Sequence, residues 1–483
     1  MSLFSSLRNR SRHPVQRSPR FRPALESLED RRIPSAVTTV FVESNSPIAG
    51  DNAVLAFRRD DNGGLREIGK FATGGTGQVN LPKVVGPDDS SQEVVATPDG
   101  RFLFAVNQGS RSVTSFRIDG AGRLDRIGTF DSGGVQPDSI GIVADKLYVS
   151  NRGDASAAGP GGVPAANPGT VAPNLTGFTI NPDGTLASIP NSTVALPVGT
   201  VPSQNLISRD GRFLFSDIFG VNTAPQSNTL APFQIEGDGT LTLAPGGNVA
   251  GQAPNSTSAA PALLGADVNP TQKIVYAGLT GLAEVAVFTY DETGRLTFIG
   301  ATAPNNQGGS GPCWAAVSPD GTTLYTGDTG SDSVGVYSLA DPLHPVQIQE
   351  LFLGGPQTPP GSPAGTPRQT TAFQVAVDPS GRFVYAIGQN TSPQGLFPQG
   401  NQLHVLTVGR DGKLSEPNGP HVFSEAEVPS VAHPQGVAVV RTEGEQDDSR
   451  SDPSGVNAAT GSPSAASVLE FLLQEKRDKD GVR

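Results

Sequence analysis

Histidine and cysteine are scarce in this 483-residue chain, so its candidates for chemistry can be named one by one. The five histidines (His13, His344, His404, His421, His433) form no HExxH pattern and no close pair, and Cys313 is the only cysteine. That excludes an intrachain disulfide framework and a multi-cysteine zinc or iron–sulfur centre. Cys313 has no base near it in sequence and makes a poor nucleophile candidate. Glu93 and His433 can each take a proton from water, and Arg368 can hold a developing oxyanion. Gln204, Trp314, Gln374, Gln435, Asp217 and Asp328 supply hydrogen bonds and a stacking face for a ligand. Glu93 is the hardest of these to dismiss. It directly precedes a β-type run, and an acid entering a buried strand needs solvent, a partner or a cation. No cofactor is expected. Calcium is the one ion to weigh, with Glu93 and Asn/Asp side chains as its ligands.

Composition narrows the partners. With 34 Lys+Arg against 46 Asp+Glu the formal charge is −12, which disfavours a nucleic-acid binder of the basic-patch type. Hydrophobic residues make up 36%, enough for a large core, and no apolar run reaches the roughly 18 residues of a membrane helix. The 59 glycines and 42 prolines mark a chain rich in turns.

Self-similarity supplies the elements that must position the candidates. Short β-type runs centred on an aromatic recur seven times, at Phe41, Phe104, Tyr148, Phe215, Tyr276, Tyr325 and Tyr385. A second run follows each, anchored at Phe57, Phe116, Phe178, Phe233, Phe288, Tyr337 and Leu406. Eight residues beyond these anchors stand Leu65, Leu124, Leu186, Leu241, Leu296 and Leu414, often after an Asp-Gly hairpin turn such as Asp183-Gly184. The sixth unit departs, with Asp341-Pro-Leu-His-Pro345 there. A preceding run ends in Pro-Asp-Gly or a similar turn, and from Pro98, Arg209, Pro270, Pro319 or Pro379 the next aromatic is always six residues on. The unit repeats every 58 residues or so, longer than the 40–45 of WD40 and the ~50 of kelch repeats. Four short antiparallel strands, seven times over, describe an all-β seven-bladed β-propeller. The chain enters at the second strand of a blade, at Val37, so the missing inner strand must come from 434–440. Closing the ring with strands from both termini removes two exposed edges.

Loop length then selects a face. Insertions at 151–174 and 388–401, and long connections at 69–92, 189–204, 244–262 and 351–373, all fall on one side of the ring. Binding residues sit preferentially on loops held by a rigid scaffold. Counting five back from the Pro-Asp-Gly turn gives the residues entering the inner strands on that face. They are Glu93, Gln204, Gly265, Trp314 and Gln374, with Ser139 and Gln435 as approximate equivalents, and His433 lies two residues before Gln435. Arg368 belongs to the loop before blade seven. A second ring, Asn107, Asn151, Asp217 and Asp328, ends the second strands, where Asn and Asp are also ordinary turn formers. Trp314 reads more readily as a packed residue closing the channel than as a platform for a substrate.

The ends differ from the body. Residues 1–36 carry eight arginines against three acids, which leaves −17 on the remainder. They are broken by prolines and lack the apolar stretch of a secretory signal peptide. Residues 37–441 are expected to form the propeller, and 442–483 a disordered linker followed by a short terminal helix over 467–477.

Two resemblances add to this reading. The stretch Arg20-Phe-Arg-Pro-Ala-Leu-Glu-Ser-Leu-Glu-Asp-Arg-Arg-Ile-Pro-Ser35 resembles the N-terminal export motif of planctomycete proteins, which implies an extracytoplasmic location, in a periplasmic-type space or at the cell surface. Pro98-Asp-Gly-Arg-Phe-Leu-Phe-Ala-Val-Asn107, the run 109–119 and Gly122-Arg-Leu124 resemble the lactonase-family propellers, as do 311–321 and 328–334. That family includes the propeller-type 6-phosphogluconolactonases and the carboxymuconate cyclases. The resemblance spans about 37–441. It implies a seven-bladed propeller and hydrolysis of a sugar or related lactone at the channel mouth. Sugar-lactonase members usually carry His, often with Arg, where this chain has Gln204, Gly265 and Gln374. Two functions therefore stand side by side. In one, Glu93 or His433 activates water while Arg368 or backbone donors hold the oxyanion. In the other, the same polar funnel binds a saccharide or a protein segment and performs no chemistry. A monomer is expected in both.

Overall fold

The computed structural model describes residues 37–78, 90, 92–154, 170–220, 228–252, 260–303, 306–353, 370–390 and 400–442. Within them seven antiparallel sheets follow one another along the chain, the blades of a propeller. The arginine-rich segment 1–36 and the tail 443–483 lie outside the described residues, as do most of the long loops. Ring closure is as the termini require. The last strand, Gln435–Thr442, is the innermost of blade one and pairs with Val37–Glu43 in the register Phe41↔Ala438.

The offsets in the sequence have local causes. In five blades the turn between inner and second strand closes through one backbone bond, for example from Thr97 N to Phe102 O and from Ser318 N to Thr323 O. In three of these turns the opening Thr or Ser side chain also accepts the returning amide, as in Phe213 N to Ser208 Oγ at 2.9 Å. This turn fixes its own length, hence the constant six residues to the aromatic. Blade three replaces it with a two-residue hairpin in which Ala144 adopts φ 51°. The six leucines each begin an outermost strand, after a tight turn. Val346 takes that place in blade six.

Outermost strands are broken at the third-strand anchors. In blades one, two, five and six the ladder carries a bulge at Phe57, Phe116, Phe288 and Tyr337. In blades three, four and seven the outer strand splits into two short pieces instead. Bulges twist an edge away from straight pairing and so protect it from joining another chain.

The core lies between blades. Phe104 and Val106 of blade two pack on Ile140, Leu147 and Val149 of blade three, and equivalent layers recur around the ring. Blades seven and one are also clamped by charge: Arg59 Nη2 meets Asp378 Oδ2 at 3.2 Å, both buried, while Arg59 Nε donates to Tyr385 Oη at 2.9 Å.

Candidate active site at the channel mouth

Strand register defines the ring of residues at the loop-bearing end of the inner strands. The anchor aromatics pair with Val95, Gly141, Leu206, Asp267, Ala316, Ala376 and Ala438. Two residues earlier stand Glu93, Ser139, Gln204, Gly265, Trp314, Gln374 and Gly436. Blade one therefore presents a glycine at this level, and Gln435 sits one residue outside it. The shift comes from a bulge at Gly436, and bulges recur at Asp138, Ser203, Gly265, Cys313 and Phe373-Gln374. Bulges concentrate beside functional sites because they re-aim side chains.

The ring is closed rather than an open funnel. Glu93, His433, Gln204, Trp314, Gln374, Gln435, Asp217 and Asp328 are all at most 2% exposed. Converging inner strands leave little room, and several polar ends bond the neighbouring blade. Asp217 Oδ2 accepts Gly265 N at 2.6 Å and Gln204 Oε1 accepts Ala266 N at 2.7 Å, so these cross-strand partners together hold blade five. Burial pushes the Asp217 carboxyl up to about 7, against the lowering effect of its hydrogen bonds. The second ring is staggered: Asp217 lies two residues past its anchor, whereas Asn107, Asn151 and Asp328 lie three past theirs and point to the other side of the blade.

Trp314 joins an apolar cluster with Leu264, Cys313, Ala372 and Phe373, its indole nitrogen buried without a hydrogen-bond partner. Gln374, on the neighbouring inner strand, has neither amide atom bonded. Arg368 lies outside the described residues.

The remaining candidates converge where blade one meets blades two and seven. A Cβ at Gly436 would stand 3.1 Å from Glu93 Cβ, so the missing side chain is what lets Glu93 approach the blade-one strand. Gln108 Nε2 donates to Glu93 Oε1 at 3.4 Å. His433 Nε2 lies 2.8 Å from the Asn390 carbonyl, which can only accept. Nε2 therefore carries a hydrogen. Gln435 Oε1 accepts Asn45 Nδ2 at 3.0 Å.

Three charged groups near this face escaped the sequence reading. Glu43 is Gln435's cross-strand partner, fully buried, with Asn52 Nδ2 donating to Oε1 at 2.8 Å. Its offset from Phe41 equals that of Asp217 from Phe215, which is the signal that would have found it. Asp138 and Arg152 are buried together in blade three, Nε to Oδ2 4.0 Å, and no offset marks them. Among the described residues, no three of His, Cys, Asp and Glu gather as a metal-ligand set.

The family model for the lactonase seven-bladed β-propellers matches residues 50–158 and 173–419, most of the chain. The chain belongs to that lactonase family. Among its curated relatives is a 6-phosphogluconolactonase of Pectobacterium carotovorum, 22% identical over 340 residues, covering 68% of this chain and 86% of that one. The periplasmic gluconolactonase of Pseudomonas aeruginosa superposes with TM-score 0.60 at 17% identity, over 84% of this chain and 99% of the other. A protein from Lactobacillus plantarum gives 0.58 at 16%, over 84% and 99%. At such identities the structural likeness is one of fold. No helix among the described residues of this lactonase-family chain is long and apolar enough to cross a membrane.

Proposed function

We propose that this propeller hydrolyses a sugar or related lactone where blades one, two and seven meet on the loop-bearing face. The observation that carries the reading is the approach of Glu93 to Gly436, three residues after His433. In a lactonase-family propeller, a carboxylate there suits removal of a proton from an attacking water. Glu93 is the base of choice because the mouth of the channel is its level in the strand register. His433 is the second proposed base, and Arg368 remains a proposed anion-stabilising group. The test is turnover of a lactone panel (glucono-1,5-lactone, its 6-phosphate, galactono-1,4-lactone and γ-butyrolactone), with and without chelator. Hydrolysis of at least one, abolished in a Glu93→Gln, His433→Asn double variant, is expected. Hydrolysis of none would refute the reading. Chelator sensitivity would revive calcium held by Glu93 and its neighbours.

One observation favours a second reading, saccharide binding without chemistry. Across the ring the level is neutral (Gln204, Gly265, Trp314, Gln374), and the unbonded amide of Gln374 suits a ligand hydroxyl. Glycan binding by a chain that turns over no lactone would establish it. A protein segment as ligand is the remaining variant.

The motif at 20–35 supports export, with 37–441 as the working domain and a monomer as the working state. One structural neighbour is a periplasmic enzyme. Cell fractionation should recover the protein outside the cytoplasm, and recovery solely in the cytoplasmic fraction would defeat export.

A further inference from the structure

The turn-bearing face, at the opposite end of the strands from Glu93, repeats a contact that blade six lacks. Blades two, four and seven enter their second strands through Arg101-Phe102, Arg212-Phe213 and Arg382-Phe383. In each the guanidinium lies over the ring, 5.0, 5.1 and 5.5 Å from its centroid. The hairpin glycine of the next blade closes on the same ring. A Cβ at Gly184, Gly294 or Gly63 would stand 2.6, 2.5 or 3.2 Å from it. The arginine then reaches the residue two before that glycine. Arg101 Nη2 donates to Pro182 O at 3.3 Å, Arg212 Nη1 to Glu292 Oε2 at 3.5 Å, and Arg382 Nη2 to Asp61 O at 3.2 Å. Between blades six and seven both halves of the contact are exchanged. Thr322-Thr323 stands in place of Arg-Phe, and Arg410 holds the place of Glu292 and Asp61, two residues before Gly412.

The result is an open cleft of about 800 Å³ with apolar walls from Tyr325, Leu339, Ile348 and Val408. Four charged side chains line it too. Asp320 is tied into its own turn by Ser318 Oγ and Thr322 N, Asp411 Oδ1 accepts Lys413 N, and Arg382 is held by Asp61. Arg410, exposed, alone makes no hydrogen bond or ion pair among the described residues. Other blades without the ring fill its place from the chain. Ile68 would stand 3.1 Å from a Cβ at Gly122, and Ile189 2.7 Å from one at Gly239. In blade five the Pro342 carbonyl accepts Tyr276 Oη at 2.8 Å. At Gly412 the apolar approach is looser, with Ile348 Cδ1 at 3.9 Å.

We infer that the cleft between blades six and seven binds a small aromatic carboxylate, its ring in place of the missing phenylalanine and its carboxylate on Arg410. A cleft of this volume is the size that holds small ligands. A phenyl ring against its walls takes apolar surface out of water. The two acids are already engaged, so the unanswered charge is positive. A planar guanidinium with no partner suits a carboxylate, which it can hold through two parallel hydrogen bonds. One ring and one cation define a small molecule rather than a length of chain. This site does not rest on the hydrolysis reading, and either can fail without the other.

The experiment titrates the full chain calorimetrically with benzoate, phenylacetate and 3-phenylpropanoate, which step the carboxylate away from the ring. Saturable binding of at least one is expected. Arg410→Gln should raise its Kd about 10–100-fold, the worth of a charged hydrogen bond. Thr323→Phe, which restores the ring of the other blades, should abolish binding. The neutral amide of the same acid should bind wild type no better than the acid binds Arg410→Gln. Melting curves show which variants fold, and the exposed Arg410 carries the test if Thr323→Phe does not fold. Binding of none of the three acids, or an equal Kd in wild type and Arg410→Gln, would overturn the assignment. So would binding only of an acetylated, amidated Asp-Phe dipeptide, which would make the cleft a docking site for a protein segment instead.

Discussion

Glu43 and Asp217 are fully buried carboxyls and Asp267 a partly buried one, and their neighbours are neutral amides and backbone N–H groups rather than cations. Burial raises all three, to about 8, 7 and 6. A carboxyl raised in the folded state binds protons there that the unfolded chain has already released. Its contribution to stability is therefore complete below the ordinary carboxyl range near 4. That contribution is lost as pH climbs to and through the folded value, at about 1.4 kcal/mol per pH unit for each group. The melting temperature should fall steadily between pH 5 and 9. Glu43→Gln should flatten the upper part of that fall. A melting temperature that rose over this range would show that the three are ionised when folded. Glu43 also shows where residue-level reading runs out. The sequence marks it only by an offset shared with Asp217, and nothing in a Val-Phe-Val-Glu run says that the acid faces Gln435 rather than solvent.

At the scale of elements, the sequence was legible wherever one residue sets a turn. Six leucines locate six outermost strands, and the Pro-Asp-Gly turns locate the second strands to the residue. Bulges were not legible. They depend on how seven inner strands converge. Gln435, an approximate equivalent in the sequence, lies one residue outside the level that Gly436 holds, and Asp217 is not level with Asp328. The bulge at Gly265 is the tightest. At φ +68° its built Cβ would lie 1.8 Å from Cys313 O, so backbone, not a movable side chain, blocks it. Gly265→Ala should cost about 2–4 kcal/mol, the range for strain at a special backbone position combined with overpacking. Gly237, with nothing within reach of a Cβ, is the control and should tolerate alanine. Equal melting temperatures for the two variants would mean that the blade-five strand yields more than its contacts suggest.

For the whole molecule, closure was the most legible property of all, since a chain that starts on a second strand must borrow an inner one. The closing ladder pairs six residues of Val37–Val42 with partners from Val437 to Thr442, and the Arg59–Asp378 clamp ties blade one to blade seven. Ending the chain before Pro434 should expose two strand edges and give aggregation. Ending it after Thr442 should leave melting nearly unchanged. A shorter chain that stayed monomeric and equally heat-resistant would contradict the closed ring. What the whole fold leaves open is chemistry, because one scaffold hosts many functions and the site alone decides. Here the proposal rests on Glu93, whose approach to blade one depends on a glycine there. The most direct measurement is steady-state hydrolysis of the lactone panel by wild type and Glu93→Gln. Turnover by wild type, with kcat about 10²–10⁴-fold lower and KM little changed in the variant, is the predicted result for a general base. Turnover that survives Glu93→Gln undiminished would contradict it.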